Sequence, residues 1–404
     1  MNRPINLGYL VPEFPSQTHA FFWREVQALR AIGVTVNLLS TRRPASGACR
    51  HEFAQAAARE THYVFPPRWI ASIAALLVRP SMLVRGLAYI ASLRETRWPR
   101  RLRLIGLLLS AADLRMHAQR NGIDHIHVHS CADAAHLAAL CRILGGPSYS
   151  LTLHGDLPVY GTDHRRKTAG SSFVVCVTRA LRDQVERELG LDPLRLPVIW
   201  MGVDTDRFVD AGQRVPVLGS LHILTVSRLH WAKGHRHVLA AMRFALDRGV
   251  QLKYTIAGDG PHRAQIEEEV RTLGLQGNVT LAGTCSEAEV FALHQQCDAF
   301  VLPSVGLGEA APVSVMEAMS CGLPVICSTI GGTPDMIEDA VDGFLVPQRD
   351  EAAIADRLIA LASDLPLRAR IGLAARNRAV SDFDSRRLAQ RLNACFAARS
   401  QASR

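Results

Sequence analysis

Short apolar runs bounded by glycine, proline and polar residues recur along the chain, separated by longer segments with apolar positions three and four apart. In the first half these runs predict strands at Ile5–Val11, Val34–Thr41, His125–Ser130, Ser148–His154, Phe173–Thr178 and Pro197–Met201. Helices are predicted from near Thr18, over 132–144 and over 179–190. The second half repeats the pattern, with strands predicted at His222–Val226, Tyr254–Gly258, Val279–Gly283, Ala299–Pro303, Pro324–Cys327 and Phe344–Val346 and helical segments between most of them. Short apolar strands alternating with helices indicate parallel sheets covered on both faces. Two such series predict an α/β chain of two doubly wound, Rossmann-like domains. The expected division is an N-terminal domain over 1–201, a connector over 202–218 and a C-terminal domain over 219–375. A helical segment over 376–404 could cross back to the first domain. The connector contains Gly212 and Pro216 and lacks strong periodicity. Ligands of open parallel sheets bind beyond the carboxyl ends of the strands, so two facing domains would hold their chemistry in a cleft.

Composition fits this picture. The chain has 404 residues, 48% of them apolar, enough for two cores. No uncharged apolar stretch has the length needed to cross a bilayer, and the N-terminus runs into a strand pattern without a signal-peptide apolar region. A cytoplasmic location is expected. The nine cysteines lack paired short spacing, apart from Cys321 and Cys327 flanking a strand, so neither a zinc site nor a disulfide framework is indicated.

The net charge of +9 is unevenly placed. Residues 1–200 hold 25 Lys and Arg against 14 Asp and Glu, whereas residues 201–404 hold 21 against 23. Residues 66–104 carry eight arginines and one glutamate, interleaved with Trp69, Ile70, Leu76, Leu83, Tyr89 and Trp98. Basic amphipathic helices with interfacial aromatics suit an anionic membrane surface, which would make the protein peripheral at the inner face of the cell membrane. An ordinary helix with a core face and a solvated arginine face is the alternative. No nucleic-acid-binding motif accompanies the charge.

The candidate chemistry lies mainly in the second half. Arg228 and Lys233 follow its first strand in Val-Ser-Arg-Leu-His-Trp-Ala-Lys-Gly, where two cations and a helix N-terminus suit a diphosphate. Lys233 is one of only three lysines, with Lys167 and Lys253. Gly258 and Gly260 end another strand and would allow close approach of a nucleotide, or simply a tight turn. Glu309 and Glu317 lie eight positions apart, with seven residues between them, in Gly-Glu-Ala-Ala-Pro-Val-Ser-Val-Met-Glu. Glu309 is expected in a loop and Glu317 about a turn and a half into the following helix, where a carboxylate can accept two ribose hydroxyls. In the first half, His125, His127 and His129 share a face of a regular strand, and His154 stands at a strand end. Three histidines invite a metal, but no paired carboxylate accompanies them, so no metal is assigned.

Taken in order, the segments over 220–347 resemble the donor-binding domain of retaining glycosyltransferases of family four, which have the GT-B fold. The resemblance implies that Arg228 and Lys233 bind the donor diphosphate, that Glu317 holds the ribose and that Glu309 meets the transferred sugar. The neighbouring Ala310, Ala311 and Pro312 would line the donor site with Gly258 and Gly260. Ala310 stands where the family usually has Gly, and Asp335 where it usually has Glu. Tyr9–Glu25, His125–His129 and Thr152–Asp156 resemble bacterial exopolysaccharide glycosyltransferases of the colanic-acid type, although Ser16-Gln-Thr-His19 replaces their usual Ser-Glu-Thr-Phe. By that likeness His154 approaches the donor sugar. The implied activity is metal-independent, retaining transfer of a hexose-type sugar from a nucleotide diphosphate sugar to a saccharide acceptor, lipid-linked or free. No cofactor other than the donor substrate and no general base is implied. A nucleotide-sugar-binding protein or membrane scaffold without activity, and a GT-B-fold sugar-nucleotide epimerase, are the alternatives.

Overall fold

A computed structural model describes residues 5–45, 47–212, 214–306 and 309–402, the side chains of 399–402 excepted. Residue 213 of the expected connector and Gly308 of the glutamate motif lie outside the described residues. The chain divides into two compact units: residues up to Trp200 with those from Arg386 onward, and Met201–Ser385 with Arg50–Glu52.

The first unit is built on a six-stranded sheet. Its strands are β1 (Asn6–Glu13), β2 (Thr35–Arg42), β3 (His62–Tyr63), β4 (His125–Val128), β5 (Ser148–Leu153) and β6 (Val174–Cys176). The second unit has β7 (Ser220–Val226), β8 (Gln251–Ala257), β9 (Val279–Gly283), β10 (Ala299–Leu302), β11 (Val325–Ser328) and β12 (Phe344–Val346). Strand orders are β3-β2-β1-β4-β5-β6 and β12-β11-β10-β7-β8-β9, with every pairing parallel. Both sheets therefore reverse direction once, at β1/β4 and at β7/β10. Loops leaving the two strands of such a pair diverge and open a crevice, the place where doubly wound sheets bind ligands.

Burial explains why these short runs become strands. β4, β10 and β11 are buried along their whole length, as parallel strands covered on both faces must be. The core of the first unit joins Leu7, Tyr9, Val11 and Val26 to Leu388, Leu392 and Phe396 of the helix Ser385–Ala402. The core of the second gathers Ile223, Val238, Met242, Val301, Ile326 and Leu358.

One strand expectation needs correction, and one strand was missed. Pro197–Met201 forms no strand, only an isolated bridge from Val198 to Cys176, because Pro197 cannot donate to a ladder. The two-residue β3 was not foreseen, since His62–Tyr63 is too short to show a period.

Candidate functional site

The switch point of the second sheet gathers most of the expected donor residues. β7 runs into the loop Ser227–Gly234, and β10 into Pro303 and Ser304. Gly234 has φ 72°, and a side chain there would collide with the Pro303 carbonyl oxygen. Glycine thus lets the two loops touch, and Val305 N–H donates to the Ala232 carbonyl at 2.8 Å. The contact carries Lys233 Nζ to 2.5 Å from Glu309 Oε2, an oxygen that also accepts from Ser304 Oγ at 2.6 Å.

The Glu309 loop is fixed from its other side. Gly331 has φ 54°, and any side chain there would strike the Glu309 carbonyl. Its neighbour Gly332 donates its N–H to the Ala310 carbonyl at 2.8 Å. Ala310, Ala311 and Pro312 are buried, and Pro312 caps the helix Val313–Ser320. Glu317 lies on this helix and is only 7% exposed, so its carboxylate is a buried group rather than a solvated one.

Arg228 differs from Lys233. It is exposed, and among the described residues its guanidinium makes no ion pair or hydrogen bond. The loop bearing it rests on Gly258 and Gly260, where side chains would collide with the Ser227 and Leu229 carbonyls. Leu229 N–H donates to the Asp259 carbonyl at 3.0 Å, and His262 N–H to the Leu229 carbonyl at 3.1 Å. Both glycines therefore fit one loop against another. At the head of helix His235–Asp247, His235 is buried between the Ser227 and Tyr254 hydroxyls. Burial holds its imidazole down to about 4, so it adds no positive charge near neutral pH.

In the first unit, His154 follows β5 and is half-buried. Phe21 and Phe22 flank its ring at 5.5 and 5.4 Å between centroids, and its backbone N–H donates to Tyr160 Oη at 2.7 Å. Burial pushes the imidazole down to about 3, so it is neutral near pH 7. His125 and His127 do share a face of β4, and each stands across the sheet from a serine of β5. Both nitrogens of His125 meet Ser148 and Ser150 Oγ, at 2.9 and 2.7 Å. Those of His127 meet Ser150 Oγ and Thr152 Oγ1, at 2.7 and 2.8 Å. Glu25, His127 and His129 offer atoms within 4.8 Å of one another. With both His127 nitrogens engaged by hydroxyls, that trio fits a hydrogen-bond network rather than a cation.

Sequence reasoning missed Ser304, Gly331 and the approach of Glu25 to His127 and His129. Gly331 acts through a contact across strand ends, which no local pattern records, and Ser304 through its hydroxyl to Glu309 within one loop, a pairing set by the fold of that loop. Glu25 stood inside a segment already singled out, and its place among apolar residues of the first helix was the available signal.

In sequence and fold the chain is similar to known glycosyltransferases. The family described as Glycosyltransferase Family 4 matches residues 20–207, and Glycosyl transferases group 1 matches 212–378. The amylovoran biosynthesis glycosyltransferase AmsK of Erwinia amylovora is 26% identical over 395 residues, 94% of this chain and 96% of that protein. Alpha-maltose-1-phosphate synthase of Mycolicibacterium smegmatis is 30% identical over 70% of this chain and 81% of its own. The chain belongs to glycosyltransferase family four. WcaL of Escherichia coli K12, assigned to colanic acid biosynthesis, is 33% identical over 203 residues; this match spans 49% of the family member described here and 50% of WcaL. Among solved structures, Anabaena HepE in complex with UDP and glucose superposes with a TM-score of 0.75 at 16% identity, over 97% of this chain and 99% of HepE. The likeness shows the GT-B fold.

Proposed function

We propose that this protein transfers a hexose-type sugar from a nucleotide diphosphate sugar to a growing saccharide in cell-surface polysaccharide synthesis, with retention and without a metal. The Lys233–Glu309–Ser304 cluster at the β7/β10 switch point carries the reading. A departing nucleoside diphosphate needs positive charge placed in advance, and Arg228, Lys233 and the first turn of helix His235–Asp247 supply it. Arg228 is uncommitted, whereas Lys233 must share its charge between Glu309 and the phosphate. Glu309, freed in part from Lys233, orients hydroxyls of the transferred sugar, and the buried Glu317 holds the ribose. On the first unit, His154 meets a substrate hydroxyl. The relatives in amylovoran and colanic acid synthesis favour an exopolysaccharide acceptor, and the UDP and glucose held by HepE favour a nucleotide-sugar donor.

The test is turnover with UDP-, GDP- and ADP-sugars, with the anomeric configuration of the product read by NMR. Lys233→Ala and Arg228→Ala should each lower kcat by about 10²–10³-fold, the range for removing one preorganised charge partner. Wild-type turnover in both variants would sink the phosphate assignment; an inverted product would sink retention.

A membrane surface as a further partner has its own support. Of the 21 exposed large apolar side chains among the described residues, 11 fall between Phe65 and Ile105, including Ile70 at 88% and Trp98 at 71% exposure. Arg79, Arg85, Arg94, Arg97 and Arg103 are exposed among them without ion pairs to described residues. Others of the eight arginines are structural: Arg68 pairs with buried Asp113 at 2.6 Å and Arg100 with Asp133 at 2.7 Å. No single helix among the described residues is long and apolar enough to cross a membrane; the bent pair Trp69–Leu77 and Pro80–Ala91 passes by length and composition. Apolar residues mixed with free arginines fit an anionic lipid surface.

A further inference from the structure

Beside the Lys233–Glu309–Ser304 cluster lies an indole that none of the assigned roles uses. Trp231 is 53% exposed. Among the described residues of the second unit, it alone of the exposed large apolar side chains stands on a loop leaving the carboxyl end of a strand. The others lie in the connector, on helices or just before β12. The backbone around Trp231 is held: Lys233 N–H donates to the His230 carbonyl at 2.9 Å, and Gly234 N–H to the Trp231 carbonyl at 3.2 Å. The ring is held too. A Cβ at Gly306 would lie 3.1 and 3.4 Å from Trp231 Cη2 and Cζ3, so the edge of the indole rests on bare glycine backbone. Gly306 N–H in turn donates to Gln348 Oε1 at 2.9 Å, and the His230 ring flanks the indole at 5.6 Å between centroids. Trp231 precedes Lys233 by two positions, and Gly306 follows Ser304 by two. Both Lys233 and Ser304 reach Glu309 Oε2. An aromatic ring fixed at its edge and open to solvent thus borders the cluster.

We propose that Trp231 is a stacking platform that covers one face of the transferred sugar while Glu309 orients its hydroxyls. The inference rests on the reading of the cluster as the place where the donor's diphosphate and sugar meet. A pyranose ring has two unlike aspects, a rim of hydroxyls and a face of C–H groups. The carboxylate of Glu309 and the hydroxyl of Ser304 suit the rim, and neither has an apolar surface to cover the face. An indole has one. Its electron-rich face attracts the weakly positive C–H groups and takes them out of water in the same contact. Because Gly306 and His230 already fix the ring, little rotamer freedom remains to be lost on binding. A nucleobase also stacks on an indole. In a nucleotide sugar, however, the ribose separates the base from the diphosphate, and the ribose is assigned to Glu317. The groups that neighbour Trp231 are those assigned to the diphosphate and the sugar.

The experiment is isothermal titration of the full-length protein with UDP, GDP and ADP and with UDP-, GDP- and ADP-sugars, in the wild type, Trp231→Tyr, Trp231→Leu and Trp231→Ala. For the nucleotide sugar that the wild type binds, Kd should rise about 5- to 10-fold in Trp231→Ala and Trp231→Leu, the size expected for loss of one aromatic contact. Trp231→Tyr should stay within about twofold of the wild type, because it keeps an aromatic face. Leucine keeps an apolar contact without that face, so its contrast with tyrosine separates stacking from burial alone. Kd for the bare nucleoside diphosphate should change less than about twofold in all three variants, since the lost contact is to the sugar. That ratio is one that a merely structural role would leave unmoved. An unchanged Kd for the nucleotide sugar in Trp231→Ala overturns the platform. So does an equal loss for nucleotide and nucleotide sugar, which would place the effect on the nucleotide or on the loop as a whole. If nucleotides bind the wild type and the variants show no sugar-specific loss, only the platform falls. If the wild type binds none of the six ligand types, the donor reading falls and the platform with it.

Discussion

Lys233 and Glu309 meet only because two glycines let backbone approach backbone. Gly234 sets the lysine loop against the end of β10, and Gly331 sets its own loop against the Glu309 carbonyl. Gly331→Ala is therefore expected to displace the Glu309 loop while leaving both cores intact. Local strain and collision of this kind cost about 1–3 kcal/mol, so the melting temperature should fall by a few degrees. On the proposed role of Glu309 at the transferred sugar, turnover should fall much further, by about 10²-fold, because the carboxylate is misplaced. Measuring kcat and Tm on the same preparation checks this; a proportionate loss of both would mean that the loop is merely structural. The sequence showed a glycine loop at this place but not its partner, because the partner lies twenty-two positions away in the chain at Glu309.

At the scale of elements, the helices between Phe65 and Ile105 show most clearly how a pattern can be read two ways. Apolar residues and arginines alternate there, and the sequence left open a core face or a membrane face. Both exist. Leu76, Ile90 and Leu104 are buried, while Ile70, Leu77, Val84 and Trp98 are exposed. Lipid binding should therefore need both the exposed apolar residues and the free arginines. Neutralising Arg85, Arg94, Arg97 and Arg103 to Gln should weaken sedimentation with phosphatidylserine vesicles about fivefold per residue, as about 1 kcal/mol per surface charge implies. Binding should also fall as salt rises. Undiminished binding to purely zwitterionic vesicles would exclude the electrostatic part.

The whole molecule carries an unusual load of buried neutral imidazole. His129 and His154 are held down to about 3, and His136 and His235 to about 4, in each case chiefly by burial. An unfolded histidine titrates near 6.5. Above that pH neither state binds the proton and the stability is fully present. As pH falls below 6.5 the unfolded chain takes up protons that the folded chain refuses, so stability drains away until the folded values are reached. Each such histidine contributes a slope of about 1.4 kcal/mol per pH unit. Glu25, with its raised pKa, acts in the opposite sense, stabilising most at low pH and losing that contribution as pH rises through its folded value. Asp342, also raised by burial, acts in the same sense as Glu25, and four histidines outweigh these two carboxylates. Calorimetry between pH 7.5 and 4.5 should show a falling Tm with net proton uptake on unfolding, and a flat Tm across that range would contradict the buried-histidine account.

What the sequence determined by itself was the repeated strand–helix alternation, and through it two parallel sheets with the candidate residues at strand ends. That much is local: the period of burial and the punctuation by glycine and proline are written in neighbouring residues. The likeness to family four added roles for Arg228, Lys233, Glu309 and Glu317. Tertiary structure decided which of these groups meet. Strand order placed β7 beside β10 and β1 beside β4, so residues 76 positions apart could form the Lys233–Glu309 pair. It also brought a glutamate on a helix face to within 3.2 Å of a histidine at a strand end. Such partners are chosen by the crossing of sheets and loops, and burial then fixes their protons, neither of which a linear pattern can carry.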